Sequence, residues 1–402
     1  MPETFRSLRR FNYRLYAGGA LVSNVGTWMQ RIAQDWLVLT QLTNHNATAV
    51  GIVMSLQFGP QIFLMPLTGW AADTFDRRKL LMLTQGAMGL LALGLGTLCL
   101  QGLARLEHVY FFALMLGCVA AFDAPARQAF VSELVGEDDL SNAVALNSSS
   151  FNAGRLIGPA VAGVLIPVLG TGGVFLINAV SFAGVLTALS CLRVHELLAP
   201  VRGPRGRLLD GFRYVWGRPD LKAMLLMMFL ISTFGLNFPI FISTMAVSVF
   251  HVGPDQFGLL SSMMAIGSVT GALLSASRAR PRPELLWAGA GLFGLGCTLA
   301  ALMPAYFLFA LALMLIGVSA QTFTTTVNGC VQLGSEPAMR GRVMAILMAM
   351  AWGGTPIGAP LVGWVADHLG ARWALGVGAA AGMVAAWVGF KMIARGRVPS
   401  PA

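Results

Sequence analysis

The chain has 402 residues, of which 56% are apolar and only 11% charged, and its mean hydropathy is +0.70. A soluble domain carries about 25% charged residues, so this composition excludes a soluble globular fold and points to an integral membrane protein. The formal charge of +10 sits in short segments between apolar runs, a distribution that reports membrane orientation and argues against nucleic acid as a partner.

At about 20 residues per crossing, the length accommodates roughly a dozen spans. Arg6, Arg9, Arg10 and Arg14 precede the first apolar run and no small-residue cleavage site follows it, so an uncleaved first helix is expected. In chain order the runs predict helices over about 15–42, 49–71, 80–102, 109–130, 147–169 and 172–192. The second set covers about 221–249, 256–277, 284–303, 305–328, 343–366 and 372–394. The expected organisation is an N-terminal six-helix half over 1–192, a linker over 193–220 and a C-terminal six-helix half over 221–402. Within the linker, basic at Arg193, Arg202, Arg205, Arg207, Arg213 and Arg218, the stretch Leu208–Trp216 alternates apolar and charged faces at helical spacing. That pattern predicts a short amphipathic helix on the cytoplasmic membrane surface.

Basic residues concentrate on one set of loops: the N-terminal arginines, Arg77 to Lys79, the linker, Arg278, Arg280 and Arg282, Arg340 and Arg342, and Lys391, Arg395 and Arg397. The alternate loops hold little more than Arg105 and Arg372. An even number of spans then leaves both termini in the cytoplasm, in a multi-pass protein of the bacterial inner membrane. Gly158, Gly163 and Gly170 recur at the same mutual spacing as Gly358, Gly363 and Gly370, so the second half echoes the first. Such a duplication places a substrate site near mid-membrane between the halves.

The first span contains Gln30, Arg31, Gln34 and Asp35. Arg31 and Asp35 are four apart, share a helix face and can pair. Ionisable groups at such depth are costly and usually line a cavity, so the group is a candidate for proton coupling or the substrate pathway. The alternative is a static pair that anchors helix packing, or an Asp35 near the outer interface. Between the second and third spans lies Gly69-Trp70-Ala71-Ala72-Asp73-Thr74-Phe75-Asp76-Arg77-Arg78-Lys79. Gly69 is expected to let two helices approach closely, and Asp73 to meet an arginine or the positive N-terminus of a neighbouring helix. Asp123, at the end of the fourth span, is either a second proton carrier or the partner of Arg77 or Arg78 in a cytoplasmic charge network with Asp73, the latter being favoured by its position. Arg155 in the fifth span can bind an anionic substrate group, or it can satisfy Asp123 or a helix carbonyl.

The pattern at Gly69, Asp73, Arg77 and Arg78 resembles the loop 2–3 signature of the major facilitator superfamily. That resemblance implies an all-α membrane fold of twelve transmembrane helices in two pseudo-repeated halves, with Asp123 and the signature residues acting as a gate latch. The series Gly154, Gly158, Pro159 and Gly163 resembles the superfamily's antiporter motif, although its first glycine is replaced near Asn147 and its final glycine pair is reduced to Ala162-Gly163. The runs Pro125–Val135 and Leu140–Asn147, with Gly341-Arg342-Val343, are similar to the twelve-helix exporters that include macrolide efflux pumps and the enterobactin exporter. The resemblance implies proton-coupled efflux of amphiphilic compounds, drug-like or siderophore; uptake of a small organic solute by the same fold is the alternative. The expected partners are a small-molecule substrate, protons and the lipid bilayer, with one chain acting as a functional monomer.

Few polar residues remain in the second half. Asn237 and Phe238, Gln321 and Trp352 are the cavity candidates, and such a lining suits a bulky, largely apolar ligand. Cys99, Cys118, Cys191, Cys297 and Cys330 are scattered singly, which indicates neither a disulfide framework nor a metal site. The chain has no G-x-x-x-x-G-K-[ST] loop and no H-E-x-x-H, so an ATP-driven pump, an enzyme and a bound cofactor are not expected.

Overall fold

Hydrocarbon offers no water to bond a peptide group, so a chain that spans it closes its backbone hydrogen bonds within helices. The computed structural model describes residues 3–198, 208–278, 282–337 and 339–394, and these are helical apart from short connections. Arg202, Arg205, Arg207, Arg280, Arg395 and Arg397 lie outside the described residues. In order the helices are α1 (Phe11–Trp36), α2 (Ala47–Phe63), α3 (Met65–Thr74), α4 (Arg77–Leu100), α5 (Leu106–Leu134), α6 (Glu137–Ser190), α7 (Leu208–Gly217) and α8 (Pro219–Leu230). There follow α9 (Phe238–Thr244), α10 (Pro254–Ala276), α11 (Glu284–Leu302), α12 (Tyr306–Gly334), α13 (Arg340–Gly353), α14 (Thr355–Leu369) and α15 (Ala371–Ala394). Three π-helical stretches, Leu37–Leu42, Ile231–Gly235 and Met245–Val249, extend α1, α8 and α9.

Among the described residues, nine helical segments are long and apolar enough to cross a membrane, and the line α2–α3, bent by 63°, makes a tenth. The 54-residue α6 supplies two crossings rather than one. Its break is Gly170, at φ 70°, a left-handed backbone that glycine adopts without steric cost. The packing of α6 on α1 confirms the reversal. Gly154 and Gly158 lie against Asn24 and Trp28, in register with α1, whereas Gly19 and Gly26 meet Ala188 and Asn178, in opposite register. With α1 and its π-helical extension, the twelve spans read from the sequence are accounted for. The protein is an integral, multi-pass, all-α membrane protein.

The chain divides into two compact units: Met1–Thr43, Gly59–Gly203 and Pro254–Ser262 form the first, and Asn44–Phe58, Pro204–Gly253 and Met263–Ala402 the second. In the first unit, α1 packs on both arms of α6, and the second arm packs on α4 through Gly96, Gly172 and Gly89. In the second unit, Gly354 and Gly358 pack on Thr233, and Gly294 packs on Gly382 between α11 and α15. Gly154 and Gly158 of the first unit thus recur as Gly354 and Gly358 of the second, in the same use. Small residues at four-residue spacing let backbones touch, which is how helices attract one another where lipid is as apolar as leucine.

Each unit also contains the first turns of one helix whose remainder belongs to the other. In the first unit, Gly258 of α10 lies on Pro159 and Gly163, while Ser262 Oγ donates to the Leu156 carbonyl at 3.2 Å. In the second, Gly51 of α2 lies on Ala359 and Pro360, while Ser55 Oγ donates to the Pro356 carbonyl at 2.7 Å. Each contact pairs a glycine with a serine one turn later, so the two are the same device used twice. The predicted amphipathic helix is α7: Gly211 packs on Arg342 and Ile346, Val215 is buried, and Phe212 and Trp216 are exposed.

A side chain at Gly158 has no room, because its Cβ would lie 2.7 Å from Trp28 Cβ and 2.9 Å from the Met29 backbone nitrogen. Gly158→Val is therefore expected to cost about 1–3 kcal/mol by overpacking and to lower the thermal unfolding midpoint of the detergent-extracted protein. A midpoint equal to that of the parent protein would contradict the close contact.

Candidate functional site

The first unit contains three polar layers along its helices. One is built on α1. Gln30, Gln34 and Asp35 are buried, and Asp35 is only 7% exposed. Gln30 Oε1 accepts from Asn178 Nδ2 of the second arm of α6, and Asn178 Oδ1 accepts from Ser181 Oγ at 2.8 Å. Gly26 makes this possible, since a Cβ there would collide with Asn178 and Ser181. The Arg31 guanidinium stacks over Trp28 at 4.7 Å, and Trp28 meets Phe151 edge-on at 5.6 Å. Stacking on an aromatic face is a way to hold a guanidinium away from water. Gln34 Nε2 is buried without a hydrogen-bond partner. Arg155 is half-buried, beside the Gly154 that contacts α1. Just past Asp35 the helix widens into the π-helical stretch Leu37–Leu42, a distortion frequent at functional positions.

The second layer surrounds Asp123. Its Oδ1 accepts from Thr84 Oγ1 at 2.8 Å and from Gln85 Nε2 at 2.6 Å, and its Oδ2 accepts from Arg127 Nε at 3.0 Å and Nη2 at 2.9 Å. All four lone-pair directions of the carboxylate are taken, two of them by the fork of one arginine, a strong charge-assisted geometry. Asp123 is thus satisfied by its own helix and by α4, and not by Arg77 or Arg78 as the sequence suggested. The reason is reach: Arg127 lies one turn away on the same face, at the spacing that lets side chains meet. That spacing was visible in the sequence. Thr84 and Gln85, on another helix, were not.

The third layer lies at the arginine-rich end. Arg77, 6% exposed, donates from Nη1 to Glu133 Oε1 at 2.9 Å and from Nε to the Ala72 carbonyl at 3.1 Å. Arg78 donates to the Leu189 and Ser190 carbonyls at 2.7 and 3.2 Å, closing the last turn of α6, where the helix dipole favours a cation. Asp76 caps α4 by accepting from the Lys79 amide at 2.9 Å. Asp73 is exposed at the end of α3. The close helix approach expected at Gly69 is not made, because a side chain there would enter open space. The signature arginines therefore bind within the first unit, Arg77 to the Glu133 carboxylate and Arg78 to the backbone carbonyls that end α6.

Gly158 and Pro159, with Gly154 and Gly163, form the first-unit face just described. Gly154 and Gly158 point to α1, and Gly163 to Pro254 and Asp255. In the second unit the equivalent of α1 is not continuous. The helix runs through the π-helical stretch Ile231–Gly235 and breaks at Leu236 and Asn237, and Asn237 is fully buried, with Nδ2 donating to the Thr233 carbonyl at 2.8 Å. Asn237 Oδ1, Ser232 Oγ and Thr233 Oγ1 are buried without partners. Broken backbone at membrane depth occurs where protein or a cavity surrounds it, and broken helices mark transporter binding regions. Phe238 packs edge-on against Phe241 and Phe293. Gln321 Nε2 donates to Thr325 Oγ1 at 3.2 Å, and Trp352 stacks on Phe58 at 5.7 Å. Among the described residues no group of three His, Cys, Asp or Glu side chains converges on a metal-sized space.

Residues 3–398 match the family described as transmembrane secretion effector. The chain is 30% identical to the enterobactin exporter EntS of Shigella flexneri, over 81% of this chain and 78% of that one. It is 27% identical to the staphyloferrin A transporter of Staphylococcus aureus, over 86% and 87%. It is 26% identical to the multidrug efflux pump Tap of Mycolicibacterium fortuitum, over 87% and 88%. In fold it resembles the D-xylose-proton symporter, with a TM-score of 0.75 at 13% identity, covering 96% of this chain and 97% of that one. A family match over almost the whole chain, on a twelve-span fold with two glycine-packed units, places this chain in the transmembrane secretion effector family of the major facilitator superfamily.

Proposed function

We propose that this chain exports amphiphilic small molecules, drug-like compounds or siderophores, across the bacterial cytoplasmic membrane by proton-coupled alternating access. The observation that carries the reading is the family match at 3–398 together with relatives named as an enterobactin exporter and a multidrug efflux pump. Both termini lie in the cytoplasm, since the loops that share their side hold most of the basic residues. One chain suffices, because it already contains both repeats. It works as a transporter and not as a catalyst.

The two buried carboxylates of the first unit, Asp123 on α5 and Asp35 on α1, divide the labour. Asp123 is saturated by four donors and serves as an anchor. Asp35 is buried in the last turn of α1, one turn from Arg31 and beside a helix distortion. A carboxylate so placed takes up a proton when its cationic neighbour moves and releases it when that neighbour returns, coupling proton movement to rearrangement. Asn237 and the broken helix of the second unit, with Phe238, Gln321 and Trp352, supply the aromatic and amide lining that a bulky amphiphile needs. Arg155, in the first unit, is a candidate to bind an anionic substrate group.

In inside-out vesicles energised to an acid interior, labelled siderophores or drugs are expected to accumulate only when the protein is present, and a protonophore should collapse the gradient. Accumulation in intact cells, with none in the vesicles, would make the chain an uptake permease. Asp35→Asn is expected to insert normally and lose protonophore-sensitive transport; unchanged transport would remove Asp35 from the coupling step. Asp123→Asn is expected to act on the fold, costing about 3–5 kcal/mol because Arg127 is left largely buried and unpaired. Normal yield and thermal stability of that variant would contradict its role as an anchor. For Arg77 and Glu133, single replacements by Gln and the double replacement should give a stability coupling of roughly 0.5–3 kcal/mol in a double-mutant cycle. Strict additivity would show that the pair is incidental.

A further inference from the structure

The contact between α2 and α14 in the second unit holds one feature that its counterpart between α10 and α6 lacks. Both contacts use a glycine and a serine one turn apart, Gly51 and Ser55 in one and Gly258 and Ser262 in the other. At the end of α14, Asp367 reaches the first residues of α2. Its Oδ1 accepts from the Ala47 amide at 2.6 Å, and its Oδ2 accepts from the Thr48 amide at 2.8 Å and from the Thr48 hydroxyl. Asn46 Oδ1 takes the next amide, that of Ala49, at 2.8 Å. The amides that open a helix have no partner of their own, and here two of them are satisfied by a carboxylate from near the opposite end of the sequence. The charge also lies at the positive end of the helix.

The other contact is built differently. The helix α10 opens with Pro254, which has no amide to satisfy, and carries its own Asp255 in its first turn, while the first-half position that corresponds to Asp367 is Pro167. The sequence holds a trace of this device. Gly363-Trp364-Val365-Ala366-Asp367 repeats Gly69-Trp70-Ala71-Ala72-Asp73, so the run that ends the α2–α3 line also ends α14. The carboxylate is open to solution beside a cavity of about 830 Å³ lined in part by His45, Trp364, His368, Arg372 and Trp373.

We propose that Asp367 is a gating residue of the transport cycle: by capping α2 it fastens the outer end of that helix to α14, and loss of the cap allows the outer side to open. The proposal rests on the alternating-access reading above, which requires α2 to leave α14 at some point in the cycle. Asp367 acts through α2 and touches no substrate, so it is a positioning residue.

The test measures opening directly. In a chain whose native cysteines are all replaced by serine, a single cysteine is placed at Ser55, inside this contact, or at Ser262, inside the other. A membrane-impermeant maleimide is then added to intact cells. Asp367→Ala is expected to raise the labelling rate at both positions by roughly five- to thirtyfold, the population change that loss of one such cap produces. Asp367→Glu should keep both rates low. Thr48→Pro, which removes the amide and hydroxyl donors yet is tolerated in a first turn, should reproduce the Asp367→Ala result in a chain that retains its carboxylate. Unchanged labelling at both positions would overturn the proposal. A rise at Ser55 alone would also overturn it, since that is local fraying of α2 and not a gate. Labelling needs no transport, so a protein that opens as described but moves no compound in vesicles would retire the export reading and leave the gate standing.

Discussion

Hydrocarbon solvates leucine as well as a neighbouring helix does, so apolar burial alone does not hold these helices together. What lipid cannot supply is backbone contact at glycine and hydrogen bonds between buried polar groups. The protein uses both, and in the same places. Gly26 admits the Asn178–Ser181 pair to α1, Gly154 and Gly158 bring α6 onto it, and Gly354 and Gly358 repeat the arrangement on Thr233. At Gly26 the two devices coincide, since the missing side chain makes room for a hydrogen-bonded pair.

The repeat is faithful in packing and unfaithful in chemistry. The glycine face at Gly154 and Gly158 recurs at Gly354 and Gly358, and the glycine–serine contact of Gly51 and Ser55 recurs at Gly258 and Ser262. The helix at the centre of each unit differs. In the first it is continuous and carries Gln30, Arg31, Gln34 and Asp35; in the second it breaks at Leu236 and Asn237, where the buried polar groups are Ser232, Thr233 and Asn237. A fold that repeats its packing while placing Arg31 and Asp35 on the central helix of one unit, and amide and hydroxyl groups at the break of the other, suits a division in which one half handles protons and the other supplies much of the ligand surface.

The spans and the repeat were legible in the sequence because each depends on local composition: length of an apolar run and spacing of small residues. The identity of ion-pair partners was less so. Asp123 pairs with Arg127 on the next turn of its own helix, a contact the helical spacing permits, whereas its position near the cytoplasmic end of the span points to Arg77 or Arg78. Glu133 was visible only as a polar residue at a helix end, and nothing in the order of residues says that it meets Arg77, far earlier in the chain. Gln30 with Asn178, and Thr84 with Gln85 around Asp123, are likewise products of tertiary packing. Gly69 shows the opposite failure, since a signature glycine need not mark a close contact in this structure.

The central claim is that export and proton movement are one coupled event, and it is tested most directly without imposing a proton gradient. Purified protein would be reconstituted into liposomes containing a pH-sensitive dye, and a gradient of a transported siderophore or drug would be applied across them at equal pH. The account predicts that substrate flowing down its gradient drives protons the opposite way, and that Asp35→Asn abolishes the pH change. Substrate flux of normal size with no movement of protons would contradict it.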